Sequence, residues 1–350
     1  MKIMMTGGTS FIGCYVVRRL VEEGHQITIL ARDPDKVPGL RTLPGVQLVA
    51  GTLTSAGAIT GALRSQDACI HIALGRGDTA VERATADTLP AIRLFEAAAD
   101  LGIEHIIYTS SIAVFDSVPG RFADTVPPRP AKFYGATKAA TEAYLLALAA
   151  ERSVRANVIR PGYTFGNPAV PGAPTQSMPE LPEIAVKAAR GEPISVTRNA
   201  GLQFIWAGDL AQVYSAVLGS AVNREVFTSL GPDFITWEQI ARWAVQVCGS
   251  ASQITVEEKG VDLAEMTYDV SMIDSCFGLR FDPSGHLREH LAYLAALAGK
   301  TGPGSGPPPP AGRRPRLRPD RADRSGSGSD GRGDLAAPLR AGPPTPGAAG

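Results

Sequence analysis

Short apolar segments alternate with longer amphipathic ones over the first 160 residues of the chain. The apolar segments are rich in β-branched residues and show little polar–apolar alternation, which is typical of strands buried on both faces of a sheet. They predict strands at residues 2–6, 26–31, 46–50, 68–74, 105–110 and 154–160. Apolar residues at helical spacing predict helices at residues 11–22, 55–64, 84–100 and 132–151. This alternation indicates an α/β fold with a doubly wound, Rossmann-type parallel sheet.

The pattern changes after residue 165. Five prolines interrupt the segment 167–183, namely Pro168, Pro171, Pro174, Pro179 and Pro182. Proline lacks the amide hydrogen that helices and central strands need, so this segment is predicted to be a loop, such as a lid over a site. Helical spacing returns at residues 237–247 and 287–297.

These changes predict a chain of three parts. The sheet domain comprises residues 1–165, and residues 209–230 return to it. Residues 166–208 and 231–300 form a smaller C-terminal lobe that binds substrate. Residues 301–350 are a tail.

The predicted tail has a composition of its own. It contains eleven Gly and eleven Pro in fifty positions and no Ile, Val, Phe, Tyr, Trp, Met, Lys or Glu. Such a segment buries too little apolar surface to offset the entropy of ordering, which predicts disorder. Two alternatives are an arginine-mediated contact with an acidic partner and the frame-shifted end of a GC-rich gene.

Composition excludes some classes of function. The tail carries eight Arg and four Asp, so it contributes +4 to a net charge of zero and residues 1–300 carry −4. That balance argues against a nucleic-acid surface. The four cysteines are scattered without a C-x-x-C pair, which favours reduced thiols in a cytoplasmic protein. No apolar segment approaches 18 residues, so no membrane span is predicted.

The first predicted strand runs directly into a glycine loop with the sequence Gly7-Gly8-Thr9-Ser10-Phe11-Ile12-Gly13. Glycines let the backbone turn sharply and approach a pyrophosphate, and the amides that open the next helix face its negative charge. The loop therefore predicts a dinucleotide site.

A second motif, Tyr134-Gly135-Ala136-Thr137-Lys138, lies within a predicted helix. Residues four apart share one helix face, so the Lys138 ammonium would favour the Tyr134 phenolate and lower the pKa of the phenol. Taken alone, such a pair is more often structural than catalytic.

Two further motifs end predicted strands, where open α/β sheets place their sites. Ser110 and Ser111 end the fifth strand, and a serine there either binds a substrate oxygen or satisfies local backbone groups. Arg160-Pro161-Gly162 ends the sixth strand.

In this order, the four motifs resemble those of the short-chain dehydrogenase/reductase superfamily. Their spacing is similar to that of its extended branch, the NAD-dependent epimerase/dehydratase family. The resemblance covers roughly residues 1–298 and includes the helix start around Asp209 and Asp269-Val270-Ser271 before the last helices.

The resemblance implies roles for individual residues. Tyr134 would be the general acid/base, Lys138 would lower its pKa and bind the nicotinamide ribose, and Ser111 would orient the substrate oxygen. The implied site for NADP or NAD comprises Gly7, Ser10, Phe11, Ile12, Gly13, Arg32, Thr52, Leu53, Ala73, Tyr134, Lys138 and Pro161.

Several positions depart from the family pattern, including Phe115-Asp116 in place of a frequent Tyr-Gly pair. Ser10 replaces the middle glycine of the loop, Thr52 stands where an aspartate is usual, and Asp87 replaces a common helix asparagine. Arg32 follows the second strand, where NAD-preferring members usually carry an acidic residue. A guanidinium there favours the 2′-phosphate of NADP, and the alternative is a solvated arginine.

One segment matches a zinc-binding motif. His286, Glu289 and His290 match the pattern H-x-x-E-H, whose two histidines share one helix face. Only the predicted tail follows to supply a third ligand, so no metal site is predicted.

We therefore expect an NAD(P)-dependent oxidoreductase that acts on a carbonyl or secondary alcohol of a small molecule, with NADP preferred. The alternatives are a nucleotide-sugar epimerase or dehydratase of the same family and a non-catalytic dinucleotide-binding sensor. The resemblance implies a homodimer. We expect no nucleic-acid partner and no membrane partner.

Overall fold

The computed structural model of the protein describes residues 1–115, 120–260 and 266–300. The tail predicted at 301–350 lies outside these residues. The described strands are β1 Lys2–Thr6, β2 Gln26–Ala31, β3 Val46–Ala50, β4 Ala68–His71, β5 His105–Thr109, β6 Gly120–Phe122, β7 Arg155–Pro161, β8 Tyr163–Phe165, β9 Ile194–Thr197, β10 Gly201–Trp206, β11 Val226–Ser229, β12 Phe234–Thr236, β13 Ile254–Glu257 and β14 Met266–Tyr268. The described α-helices are α1 Phe11–Glu22, α2 Ala56–Leu63, α3 Ala80–Arg83, α4 Leu89–Asp100, α5 Phe133–Glu151, α6 Glu180–Arg190, α7 Ala207–Gly219, α8 Trp237–Cys248, α9 Ser271–Phe277 and α10 Ser284–Lys300.

A seven-stranded parallel sheet forms the centre of the fold. Its order is β11-β7-β5-β4-β1-β2-β3. The chain runs outward from β1 to β3 and then crosses back to β4, so the topological switch point lies between β1 and β4. Open α/β sheets bind ligands at the carboxyl ends of the strands beside this point.

Both faces of the sheet are buried, as the lack of alternation predicts. Ile3 and Met5 belong to the apolar cluster that contains α1 and α7, whereas Met4 between them belongs to the cluster of α2, α4 and α5. Side chains alternate across a strand, so β1 places apolar residues on both faces. The predicted doubly wound α/β fold is confirmed.

A third apolar cluster joins α6, α8 and α10 to the short strands β8, β9 and β10. β8 pairs in parallel with β10, and β10 pairs antiparallel with β12. The described residues all fall within one compact unit. The division into a nucleotide-binding domain and a substrate lobe therefore stays a prediction.

The proline-rich segment differs from its prediction at its carboxyl-terminal end. It was predicted to lack regular structure up to residue 183, but α6 begins at Glu180 with Pro182 in its first turn, where no amide hydrogen is needed. At its start, the carbonyl of Asn167 accepts a hydrogen bond from the Tyr15 hydroxyl at 2.7 Å, and Arg18 donates to Ala169 at 3.1 Å. This part of the segment is attached to α1.

Within the described residues, no helix is both long and apolar enough to cross a membrane.

Candidate active site

The glycine loop connects β1 to α1 at the switch point. Gly7 has a φ of 71°, and a Cβ there would lie 2.5 Å from the amide nitrogen of Ala73. A Cβ on Gly13 would overlap the carbonyl oxygen of Gly7. Both positions therefore require glycine, and the loop packs directly against the segment after β4. This geometry leaves the narrow backbone cradle that a dinucleotide pyrophosphate needs.

Ser10, at the middle glycine position of the loop, is the N-cap of α1. Its Oγ accepts a hydrogen bond from the amide of Gly13 at 3.2 Å. The cap satisfies one free amide of the first turn, and the others remain at the positive end of the helix dipole. Phe11 is buried and Ile12 is half-buried at this helix start. The serine is compatible with an anion-binding helix terminus.

The other predicted cofactor residues follow strands at the same edge of the sheet. Arg32 comes directly after β2 and is exposed. Thr52 is exposed and pairs with the hydroxyl of Thr54 at 2.8 Å, whereas Leu53 packs against the apolar cluster of α2. Pro161 is the buried last residue of β7.

Ser111 lies beside Tyr134. It caps the 3₁₀ turn Ile112–Val114 by accepting a hydrogen bond from the amide of Ala113 at 3.1 Å. Its side chain is also close enough to the Tyr134 phenol, in the first turn of α5, to lower the pKa of that phenol. The neighbouring Ser110 is buried instead, and its hydroxyl has no hydrogen-bond partner among the described residues. Of the two serines, Ser111 is the one that can act with Tyr134.

Burial raises the pKa of the Tyr134 phenol, and this is the largest effect on it. Ser111 opposes the rise, the negative charge of Asp87 adds to it, and Arg83 opposes it. The net direction is upward, which is opposite to the lowering that was expected from Lys138. A phenol with a raised pKa stays protonated near pH 7.

Lys138 lies one helical turn after Tyr134 and is almost fully buried. Its ammonium donates a hydrogen bond to the carbonyl of Thr109 at 3.2 Å and lies 3.7 Å from Oδ2 of Asp87. It also lies 4.9 Å from the ring centroid of Tyr108. Burial lowers the pKa of Lys138, and the charge of Asp87 opposes that change. The ammonium is thus directed toward Asp87 and the end of β5.

A model of the NAD dependent epimerase/dehydratase family matches residues 3–228, which include the glycine loop, Ser111, Tyr134 and Lys138. The chain belongs to this family.

Relatives in the epimerase/dehydratase family carry different names. The chain is 30% identical over 258 residues to the chloroplast stem-loop binding protein of 41 kDa b of Arabidopsis thaliana, covering 71% of this chain and 63% of the relative. It is 33% identical over 196 residues to a 2-alkyl-3-oxoalkanoate reductase of Stenotrophomonas maltophilia, covering 53% of this chain and 56% of the relative. The matched part therefore spans less than two thirds of the length of these relatives.

Solved structures show the same family fold. The UDP-glucuronic acid 4-epimerase of Bacillus cereus in complex with NAD superposes with a TM-score of 0.70. It covers 85% of this chain and all of that chain, at 17% identity. At this low sequence identity, the superposition shows a shared fold only.

Asp87 was noted as a departure from the family pattern but was not predicted to belong to the site. The helix predicted at 84–100 is interrupted, because a π-helical turn at Ala84–Thr88 precedes α4. Asp87 in this turn is buried, and its Oδ1 accepts a hydrogen bond from the amide of Gly75 at 2.8 Å. Such turns are frequent at functional sites. A carboxylate on the buried face of an apolar helix was the available signal.

The two histidines of the zinc-like motif have separate partners. His286 stacks on Trp206 with centroids 3.7 Å apart, and Nδ1 of His290 contacts Oδ1 of Asn167 at 2.7 Å. The described part of the chain contains no group of three or more side chains arranged to hold a metal ion.

Proposed function

We propose that this protein is an NAD(P)-dependent oxidoreductase that interconverts a carbonyl and a secondary alcohol on a small molecule. The observation that carries the proposal is the closeness of Ser111 to the Tyr134 phenol, whose pKa it lowers, at the sheet edge that also holds the glycine cradle. The reductase name of the Stenotrophomonas maltophilia relative supports it.

The residues divide the work as follows. The bound nicotinamide supplies or accepts the hydride. Ser111 donates a hydrogen bond that orients the substrate oxygen, and Tyr134 exchanges a proton with that oxygen. Lys138, held by Thr109 and Asp87, adds a positive charge one helical turn from the phenol. The raised pKa of Tyr134 keeps the proton on the phenol, which suits donation in the reductive direction.

The site would hold NAD or NADP through the glycine cradle and the first turn of α1. Solved structures with this fold include complexes with NAD. The preference for NADP rests on Arg32 alone and stays a prediction. Titration with NADH and NADPH, followed by nicotinamide fluorescence, tests it. At least tenfold tighter NADPH binding, about 1.4 kcal/mol, assigns Arg32 to the 2′-phosphate. Equal affinities for NADH and NADPH would show that Arg32 does not bind the 2′-phosphate.

The catalytic assignment is tested with Tyr134→Phe. The variant keeps the ring but loses the proton donor, so oxidation of the cofactor by a panel of carbonyl compounds should stop while cofactor affinity stays within twofold. Tyr144→Phe, on the exposed face of α5, is the matched control and should keep full turnover. Near-normal turnover by Tyr134→Phe would overturn the mechanism, and failure of both cofactors to bind would overturn the dinucleotide site.

A second candidate is a nucleotide-sugar epimerase or dehydratase. It is favoured by the fold shared with the Bacillus cereus 4-epimerase over 85% of this chain. The same three residues would bind the sugar and accept its hydroxyl proton, bound NAD would supply the hydride acceptor, and return of the hydride would restore the cofactor. With UDP-glucose or UDP-glucuronic acid as probe, this candidate predicts a product without net change in nicotinamide absorbance. Net oxidation of the cofactor by simple carbonyl compounds supports the reductase.

We also propose that the protein has no nucleic-acid partner and that it is a homodimer. The Arabidopsis thaliana relative is named for stem-loop binding, but the net charge of −4 over residues 1–300 supports no such role here. A cytoplasmic homodimer through α4 and α5 is proposed by family resemblance. Light scattering on the purified protein tests the dimer.

A further inference from the structure

Arg83 lies beside the proposed proton donor. It is the last residue of α3 and is half-buried, with its guanidinium carbon 5.9 Å from the ring centroid of Tyr134. The sequence offered no motif for this residue. Because Tyr134 must reach the substrate oxygen, a charged group at this distance from its ring lies at the border of the reacting centre.

The position of Arg83 is held from both sides. On its amino-terminal side, Thr79 and Glu82 form a capping box, with the Thr79 Oγ1 accepting from the Glu82 amide at 3.2 Å. On its carboxyl-terminal side, the π-helical turn continues to Asp87, which is bound to Gly75 and faces Lys138. The guanidinium is therefore placed on an anchored segment.

The charge of Arg83 is not balanced by a carboxylate. Lys138 faces Asp87, and Arg160 is paired with Glu142 at 2.7 Å. The Glu82 carboxylate accepts the amide hydrogens of Asp78 and Thr79. Across the described ranges, Arg83 forms no ion pair within 4.0 Å. A half-buried guanidinium that borders a reaction site is suited to bind a carboxylate with two hydrogen bonds.

We propose that Arg83 binds a carboxylate of the substrate and selects oxo acids over neutral carbonyl compounds. This inference rests on the proposed function, because Tyr134 defines where the reacting oxygen lies. The guanidinium carbon of Arg83 lies 5.9 Å from the centre of the Tyr134 ring, so the carboxylate belongs within a few bonds of the carbonyl. The substrate class is therefore a short-chain oxo acid or the matching hydroxy acid.

Binding rather than turnover provides the first test. In the Tyr134→Phe background, which keeps the ring that Arg83 faces, calorimetry with saturating NADH compares 3-oxobutanoate with its methyl ester. The two probes differ in the carboxylate alone. We expect the acid to bind at least tenfold more tightly than the ester. Arg83→Gln should bring the two affinities within twofold, and Arg83→Lys should give an intermediate ratio because a charge remains without the planar fork.

Arg93→Gln, on the exposed face of α4, is the control and should leave the ratio unchanged. An acid-to-ester ratio that does not respond to Arg83→Gln or Arg83→Lys would overturn the inference. Binding of neither probe by a protein that binds NADH would also overturn it. Failure of the unsubstituted protein to bind either NADH or NADPH counts against the proposed function itself.

Turnover separates this role from an action on Tyr134. With Tyr134 intact, a substrate-binding Arg83 predicts that Arg83→Gln lowers kcat/KM for the acid at least tenfold and leaves the ester within twofold. An equal loss for both probes would assign Arg83 to the phenol and overturn the inference.

Discussion

Oδ2 of Asp87 lies 3.7 Å from Nζ of Lys138, and the two side chains are 4% and 3% exposed. The carboxylate comes from a π-helical turn and the ammonium from α5, so the pair connects the two segments on which Arg83 and Tyr134 lie. The negative charge of Asp87 raises the pKa of both Tyr134 and Lys138. The buried pair therefore contributes to the protonation state of the proposed acid.

Replacing Asp87 with asparagine tests this relationship. Asp87→Asn removes a negative charge beside the phenol, so the pKa of Tyr134 should fall. In the reductive direction, kcat/KM declines when Tyr134 loses its proton, and that decline should begin at lower pH in the variant. Breaking the buried pair should also cost about 3 kcal/mol of unfolding free energy. Asp100→Asn, at an exposed pair, is the control. A profile shifted to higher pH contradicts the prediction.

The glycine cradle predicts that one added methyl group lowers cofactor affinity at Gly13 but not at Gly61. In Gly13→Ala the new Cβ meets the Gly7 carbonyl, a backbone group that cannot move without opening the loop. NADH affinity should fall at least tenfold, with a stability loss of about 1–3 kcal/mol. Gly61→Ala, in α2 where a Cβ meets open space, should leave affinity unchanged and stabilise by about 0.5–1 kcal/mol. Equal cofactor affinity in both variants would refute the cradle.

The buried ion pair Arg160–Glu142 should contribute more to the free energy of unfolding than the exposed pair Arg152–Asp100. Two hydrogen bonds of 2.9 and 2.7 Å join the side chains, which are 3% and 4% exposed. Glu142→Gln leaves a buried guanidinium without its counter-charge and should cost about 3–5 kcal/mol in urea unfolding. Asp100→Asn breaks the Arg152 pair, whose side chains are 54% and 64% exposed, and should cost less than about 1 kcal/mol. Similar losses would contradict the prediction.

Asp124 predicts a pH dependence of stability. Burial raises the pKa of its carboxyl to about 6, although its Oδ1 accepts a hydrogen bond from the Thr228 amide at 2.8 Å. The folded state then binds a proton more tightly than the unfolded chain, whose Asp pKa is about 3.9. The contribution of Asp124 to stability therefore falls as pH rises from about 4 to about 6.

Asparagine cannot ionise, so the Asp124→Asn variant should lack this pH-dependent contribution to stability. The unfolding free energy of the variant minus that of the unsubstituted protein should increase between pH 4 and pH 7, measured in urea at each pH. Asp209, whose pKa burial also raises to about 6, keeps its own contribution of the same sign in both proteins. A constant or decreasing difference would contradict the prediction.

Local pattern was sufficient for the central sheet. β1, β2, β3 and α1 have the predicted bounds, because strands buried on both faces and a capped amphipathic helix are determined by neighbouring residues. Prediction from neighbouring residues alone gave the wrong bounds for two elements. Helical spacing did not distinguish the π-helical turn at Ala84–Thr88 from an α-helix. The prolines led to the prediction of a loop where α6 in fact begins, at Glu180.

The sequence by itself determined the fold class, the family and the candidate set Gly7, Gly13, Ser111, Tyr134 and Lys138. The tertiary structure alone decided what surrounds them. It turned Ser111 rather than Ser110 to the phenol, paired Lys138 with Asp87 and placed Arg83 against the Tyr134 ring. These relationships arise where residues far apart in the chain are packed together and removed from water. Burial and neighbouring charge then set pKa values and ion pairs that no local pattern contains.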